Sequence, residues 1–146
     1  MLQQPANQQR LTFADRTAKL LELAKVNVAK NLADAAGDFL SNERFVELEW
    51  GADLPVGVVA GGYSLVVCAE LLYEVAAVEP LLSTLSALLA PDGVAVFGHR
   101  DRNGTHKACL DGAAAHGLEW TELSWRPWEE SAREAGKRTG AIRTAD

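Results

Sequence analysis

Two rhythms of apolar positions run along the chain, and together they predict an order of strands and helices. Leu11-Thr12-Phe13-Ala14 reads as a short strand ending at Asp15. Thr17 is placed to cap a helix over about residues 18–34. There Leu21, Ala24, Val28 and Leu32 recur at helical spacing, with Lys19, Glu22, Lys25 and Lys30 turned elsewhere. Ala35-Ala36-Gly37-Asp38 ends it. A second strand is expected from Arg44 to Trp50, buried over only part of its surface because Glu47 and Glu49 interrupt Phe45, Val46 and Leu48. Gly51 to Gly62 is a Pro- and Gly-bearing loop. Tyr63-Ser64-Leu65-Val66-Val67-Cys68 then forms a continuous apolar run, the pattern of a strand buried on both faces of a parallel sheet.

The clearest helix covers residues 77–90, where Val78, Leu81, Leu82, Leu85, Leu88 and Leu89 share one face. Pro91-Asp92-Gly93 is expected to stop it and turn the chain into a buried strand, Val94-Ala95-Val96-Phe97. Thr105 to Ala115 reads as a helix ending at His116-Gly117, and Leu118 to Trp125 as a strand with imperfect alternation. Arg126 to Thr139 is charged and expected to be a loop; Ala141-Ile142-Arg143-Thr144 is a candidate last strand. Strands alternating with helices predict an α/β sheet with helices on both faces. There is no internal repeat. The polar, Gln-rich residues 1–9 are expected to be disordered, leaving residues 10–146 as one domain.

Composition narrows the chemistry. Apolar residues make up 48% of the chain, enough for a true core. The formal net charge of -6 argues against a nucleic-acid backbone as partner, which wants clustered Lys and Arg, and suits a basic acceptor better. Arg133, Lys137, Arg138 and Arg143 read as a solvated basic tail. Cys68 and Cys109 have no pairing pattern, so neither a disulfide framework nor a zinc site is expected, and Cys68 is expected in the core. His99, His106 and His116 lack metal-ligand spacing and are expected at the surface or in loops, so no metal is assigned. Ser64, Ser83 and Ser86 have no nucleophile-elbow context, which excludes that hydrolase chemistry. Trp120, Trp125 and Trp128 are expected to cover a sheet edge. With no secretory start and no apolar run near the roughly 18–20 residues of a membrane span, the expected address is the cytoplasm, with the nucleus as alternative.

Four local patterns carry a family resemblance. They are Leu11-Thr12-Phe13-Ala14-Asp15-Arg16 with the helix that follows, Val46-Glu47-Leu48-Glu49-Trp50-Gly51, Ser64 to Tyr73, and Val78 to Arg102. Together they resemble class I S-adenosylmethionine-dependent methyltransferases, most of all the seven-β-strand protein lysine methyltransferases, over about residues 10–126. The resemblance implies a Rossmann-like sheet, S-adenosyl-L-methionine as cofactor and a protein lysine as acceptor. It implies that Asp15 binds the ribose hydroxyls, that Trp50 packs near the adenine and that Ala69 lies beside the cofactor. Glu70 and Tyr73 would face the acceptor amine. Here the post-strand motif is Glu70-x-x-Tyr73 where the family usually has Asp-x-x-Tyr, one methylene longer.

One expected part is missing. In this fold a Gly-x-Gly-x-Gly loop stands roughly 20 residues before the acidic ribose partner. The fourteen residues before Asp15 contain no glycine and no apolar strand. The expectation is a partial domain without its first strand and glycine loop, binding cofactor weakly or not at all by itself. Two rival readings stand beside the lysine methyltransferase: a non-catalytic interaction or pseudoenzyme fragment, and a class I methyltransferase acting on a small molecule.

Overall fold

The structure, a computed structural model, describes residues 11–31, 45–101, 103–123 and 137–144. In chain order its elements are β1 (Phe13–Asp15), α1 (Ala18–Asn31), β2 (Phe45–Glu47), β3 (Tyr63–Ala69), α2 (Val78–Leu88), β4 (Leu89–Arg100), α3 (Thr105–Ala113), β5 (Leu118–Glu122) and β6 (Lys137–Thr144). Short 3-10 turns precede α2 at Val75–Ala77 and follow α3 at Ala114–His116. The expected disordered segment, residues 1–9, lies outside the described residues, as do the expected end of the first helix and the start of the second strand. Two compact units emerge: residues up to Glu49 with Pro55–Gly57, and Trp50–Leu54 with the chain from Val58 onward. No helix among the described residues is long and apolar enough to cross a membrane.

In the smaller unit β1 and β2 pair in parallel, Phe13 opposite Phe45 and Asp15 opposite Glu47. The two phenyl rings stack at 5.0 Å, and α1 lays Leu21 and Val28 against Phe45. Thr17 starts α1 as expected: its Oγ1 accepts from the Leu20 N–H at 3.4 Å, and its carbonyl accepts from the Leu20 and Leu21 N–H groups.

The larger unit is built on a mixed sheet in the order β3-β4-β6-β5. β3 runs parallel to β4, while β6 is antiparallel to both of its neighbours. The leucine stripe of α2 (Leu81, Leu82, Leu85) and Cys109 and Ala113 of α3 bury one face of the sheet, against Cys68, Ala95, Phe97, Leu118 and Ile142. Leu82, Phe97 and Ile142 have no exposed surface left.

Several expectations are corrected here. In this unit the described helices cover one sheet face, not two. β3 is therefore not buried on both faces: Cys68 and Val66 meet the core, while Leu65 and Val67 on the opposite face are 57% and 72% exposed. Lys137–Thr139, expected in a loop, belong to β6, which fills the slot between β4 and β5. Residues 126–136 of that expected loop lie outside the described residues. Pro91-Asp92-Gly93 does not separate helix from strand. Leu89 already pairs with Tyr63, and the next pair is Leu65 with Val94. Two residue steps on β3 thus face five on β4, and the Pro-Asp-Gly segment is the excess.

Gly93 is required in that irregularity, because a Cβ there would lie 2.7 Å from the Tyr63 carbonyl oxygen and 2.9 Å from the Ala90 backbone. Gly93→Ala is expected to cost about 2–4 kcal/mol in urea unfolding, since backbone on two strands must shift. Gly98→Ala meets open space and is expected to stay within about 0.5 kcal/mol.

Both cysteines are buried free thiols, as expected for Cys68. Burial, and then the neighbouring Cys109 thiol, push Cys68 up to about 12; burial pushes Cys109 up to about 11. Raised values mean that the fold favours the neutral thiols. Their contribution is complete below the ordinary thiol value of 9.0 and is lost as pH rises from there toward 11–12. Unfolding free energy is expected to fall by about 2–3 kcal/mol between pH 7 and pH 10, and by about half as much in Cys109→Ala.

Candidate functional site

The sequence-derived candidates of the larger unit gather where β3 and β4 end side by side. Ala69 pairs with Gly98, and the Glu70 N–H continues the ladder by donating to the Gly98 carbonyl at 2.8 Å. The chain then turns sharply. Glu70 sits in left-handed backbone, with φ of 52°, a conformation that costs a non-glycine residue about 1 kcal/mol. Leu72 is buried at 3% exposure, and its carbonyl accepts from the Thr105 hydroxyl at 3.4 Å. Held by these two anchors, the segment turns Glu70 and Tyr73 outward. Across the ladder Gly98 is exposed, with no atom within 4 Å of where a Cβ would stand. A carboxylate and a phenol thus border open space at the C-terminal edge of a parallel strand pair, the edge that carries ligands in open α/β sheets.

Trp50 is half-buried and packs against the core of the larger unit. The turn after it is pinned to α2: the Gly51 N–H donates to Thr84 Oγ1 at 2.9 Å, and that hydroxyl donates to the Pro80 carbonyl at 2.9 Å. Gly51 has φ of 78°, and a Cβ there would come within 3.1 Å of Pro80 Cβ. The Trp-Gly pair therefore has a packing reason of its own.

In the smaller unit Asp15 ends β1, half-exposed, beside Glu47 of β2. Its carbonyl accepts from the Leu48 N–H at 2.9 Å, which fixes the strand tip. Its Oδ1 accepts from the Arg16 N–H at 2.7 Å. Among the described residues Oδ2 makes no hydrogen bond, so it remains available to a hydroxyl donor. The same unit has an open hollow of about 600 Å³ lined by Lys25, Phe45 and Pro55 among others, but not by Asp15. Lys25 stands 5.6 Å from the centre of the Phe45 ring and 2.7 Å from Glu22 Oε1, so its charge is already paired.

The histidines depart from expectation. His99 is 2% exposed, stacks on His106 at 5.4 Å and meets the edge of Trp120 at 6.4 Å. Its neighbour on the same strand face is Phe97, 5.2 Å from Trp120. His116 is half-buried, with Nε2 3.6 Å from Glu79 Oε1. The cause is the pleat: Ala95, Phe97 and His99 alternate inward along β4, so His99 lies on the core side. That period-two pattern was present in the sequence and locates this aromatic cluster. Among the described residues, His106 Nδ1 and Trp120 Nε1 are buried without a hydrogen-bond partner. No group of three or more metal-ligating side chains occurs among the described residues.

A protein-family model described as lysine methyltransferase matches residues 1–115. Among solved structures, the chain is similar to the CurJ carbon methyltransferase, with 17% identity and a TM-score of 0.63 over 92% of this chain and 41% of that one. It is similar to a protein described as a predicted O-methyltransferase from Agrobacterium tumefaciens, at 18% identity and a TM-score of 0.59, covering 94% of this chain and 63% of that one. It is also similar to geranyl diphosphate C-methyltransferase from Streptomyces coelicolor, solved with Mg2+, geranyl diphosphate and S-adenosyl-L-homocysteine. There the identity is 15% and the TM-score 0.56, over 91% of this chain and 63% of that one. The chain spans about two-fifths of the first of these proteins and under two-thirds of the other two. Likeness at these identities shows the fold alone. No curated protein sequence matches the chain.

The strained turn has a direct test. Glu70→Gly removes the left-handed penalty that Glu70→Ala keeps, so the glycine variant is expected to be the more stable of the two by about 0.5–1 kcal/mol in urea melts.

Proposed function

This chain belongs to the lysine methyltransferase family, and from that premise we propose that it acts as an S-adenosylmethionine-dependent protein lysine N-methyltransferase. The observation that carries the reading is the outward-turned Glu70-x-x-Tyr73 at the C-terminal edge of β3 and β4, within the stretch that the family model matches. We take residues 10–146 as one partial methyltransferase domain of Rossmann-like type.

Bound S-adenosylmethionine would supply a methyl group on a sulfonium. The protein's part is positioning, because an in-line displacement needs the amine held close and aligned. Asp15 fits the ribose role: a half-exposed carboxylate at a strand tip with Oδ2 available to hydroxyl donors. Trp50 would offer the adenine its remaining aromatic face while staying packed in the core. Ala69, exposed and without a long side chain, lets a ligand approach the strand end. Glu70 would attract the cationic lysine side chain and, once the ammonium has lost a proton to solvent water, accept a hydrogen bond from the neutral amine, turning its lone pair toward the methyl group. Tyr73 supplies a ring wall and a hydroxyl. Gly98 leaves room for the acceptor's aliphatic stem. The Glu arm, one methylene longer than Asp, fits an acceptor nitrogen held farther from the strand end.

By themselves these 146 residues, which include no Gly-x-Gly-x-Gly loop, are expected to bind the cofactor weakly, with a dissociation constant above about 100 μM in calorimetry. Joining a strand and glycine-rich loop to the N-terminus is expected to tighten it at least tenfold, and Asp15→Ala to reverse most of that gain. On lysine peptide arrays with labelled cofactor, the joined protein should transfer methyl groups to Lys but not to Arg replacements. Glu70→Gln should lower kcat by about 10–100-fold, a transition-state loss of roughly 1.4–2.7 kcal/mol. Tight binding that ignores Asp15, or transfer that ignores Glu70, overturns the assignment.

A further inference from the structure

An asparagine followed by glycine carries a reaction of its own, because the glycine amide nitrogen can close a five-membered ring on the asparagine side-chain carbon. The chain has five asparagines, Asn7, Asn27, Asn31, Asn42 and Asn103, and only Asn103 precedes a glycine. The others precede Gln8, Val28, Leu32 and Glu43, whose side chains crowd an attacking nitrogen. Gly104 has no Cβ to do so and is free to turn. The fold leaves this pair open. Asn103 and Gly104 are both exposed in the link from β4 to α3. No atom lies within 4 Å of where a Gly104 Cβ would stand, and among the described residues the Gly104 N–H donates no hydrogen bond. Asn103 sits in left-handed backbone, with φ of 53°. Ring closure needs a rotation out of that well, and the well is disfavoured for a residue with a Cβ, so leaving it relieves strain. Asp92-Gly93 and Asp111-Gly112 lack this freedom: Gly93 is wedged between Tyr63 and Ala90, and Gly112 lies inside α3.

We propose that Asn103 is a self-modifying site. The Gly104 nitrogen bonds to the Asn103 side-chain carbonyl carbon while the bond from that carbon to the side-chain nitrogen breaks. The Gly104 amide proton leaves with that nitrogen as ammonia, and a succinimide remains. Water then opens the ring. Attack at the side-chain carbonyl gives aspartate. Attack at the main-chain carbonyl leaves the chain joined through the side-chain carbon, as isoaspartate, with one more methylene in the backbone. Nothing is oxidised or reduced, and water is the co-reactant. The change falls where α3 is fixed. Asp101 Oδ1 accepts from the His106 N–H at 3.2 Å, and the buried Thr105 hydroxyl donates to the Leu72 carbonyl at 3.4 Å. A longer backbone between Asp101 and Thr105 pulls these two contacts out of step. The Leu72 contact anchors the segment from Glu70 to Tyr73, so modification loosens the candidate site from outside it.

Peptide mass mapping of the full chain, aged in mildly alkaline buffer at body temperature, tests this. Asn103 should exchange amide for acid at least about tenfold faster than Asn27 or Asn31 in the same sample, with isoaspartate as the main product. Its rate in the folded chain should stay within about tenfold of its rate in guanidinium, because the fold does not protect it. Amide hydrogen exchange over Glu70–Tyr73 should quicken as conversion proceeds. Asn103→Gly, which suits the left-handed backbone, should show no such quickening after the same ageing. An Asn103 that keeps its amide as long as Asn27 and Asn31 overturns the proposal. So does a folded rate more than about tenfold below the unfolded one. Conversion with unchanged exchange over Glu70–Tyr73 overturns the link to the candidate site. None of these readouts depends on methyl transfer.

Discussion

The packing of the α2 leucines against Ala95, Phe97 and Ile142 is the contact on which the larger unit depends. Burying each such side chain contributes about 1.5–3 kcal/mol, and this patch gathers the largest fully buried side chains among the described residues. It holds β4 in place, and β4 sets where β3 ends. Had the offset of the Tyr63–Leu89 pair continued, Ala69 would lie opposite Ala95. The excess residues at Pro91-Asp92-Gly93 move it to Gly98, three residues or about 10 Å farther along β4. Gly93 makes that shift sterically affordable, because no side chain fits between Tyr63 and Ala90. A core contact and one backbone irregularity together decide which residues border the strand ends.

The candidate site inherits its character from that alignment. Gly98 opposite Ala69 leaves the space beyond the ladder empty of side chains, whereas a pairing with Ala95 would have put the strand end inside the core. The sharp exit at Glu70 puts a non-glycine residue in left-handed backbone, between a ladder hydrogen bond and the Leu72 anchor. A glycine would satisfy the backbone more cheaply there, so the carboxylate is held against a local penalty. Strain at the ligand-facing edge of a sheet, on a residue whose side chain points outward, is where functional demands commonly override local preference.

Much of this was legible in the chain, and the failures share a cause. The leucine period of α2, the Thr17 cap and the burial of Cys68 followed from spacing and residue type. So did the placement of Glu70 at a strand end, because an apolar run stopped at a carboxylate. What spacing could not convey was the neighbourhood of each strand. The Pro-Asp-Gly triplet reads locally as a turn, but the Tyr63–Leu89 pair absorbs it into β4. Lys137–Thr139 reads as solvated, but its backbone pairs with β4. His99 reads as a polar residue after a strand, but it continues the inward series of Ala95 and Phe97. Trp50, which the resemblance places near the adenine, also has a packing reason in its contacts with the core.

The β3 run shows where sequence reading and structure part most sharply. A strand with no polar alternation ordinarily implies helices above and below, because each face must leave water. Here Val66 and Cys68 find that cover, and Leu65 and Val67 do not. The composition of β3 thus matches an environment richer than the described residues supply on that face. The same sheet spends two glutamates on its other edge, so the lack of charge on β3 is not a general feature of its margins. Leu65 and Val67 thus keep the pattern of a covered strand on a face that the described helices of the larger unit leave open.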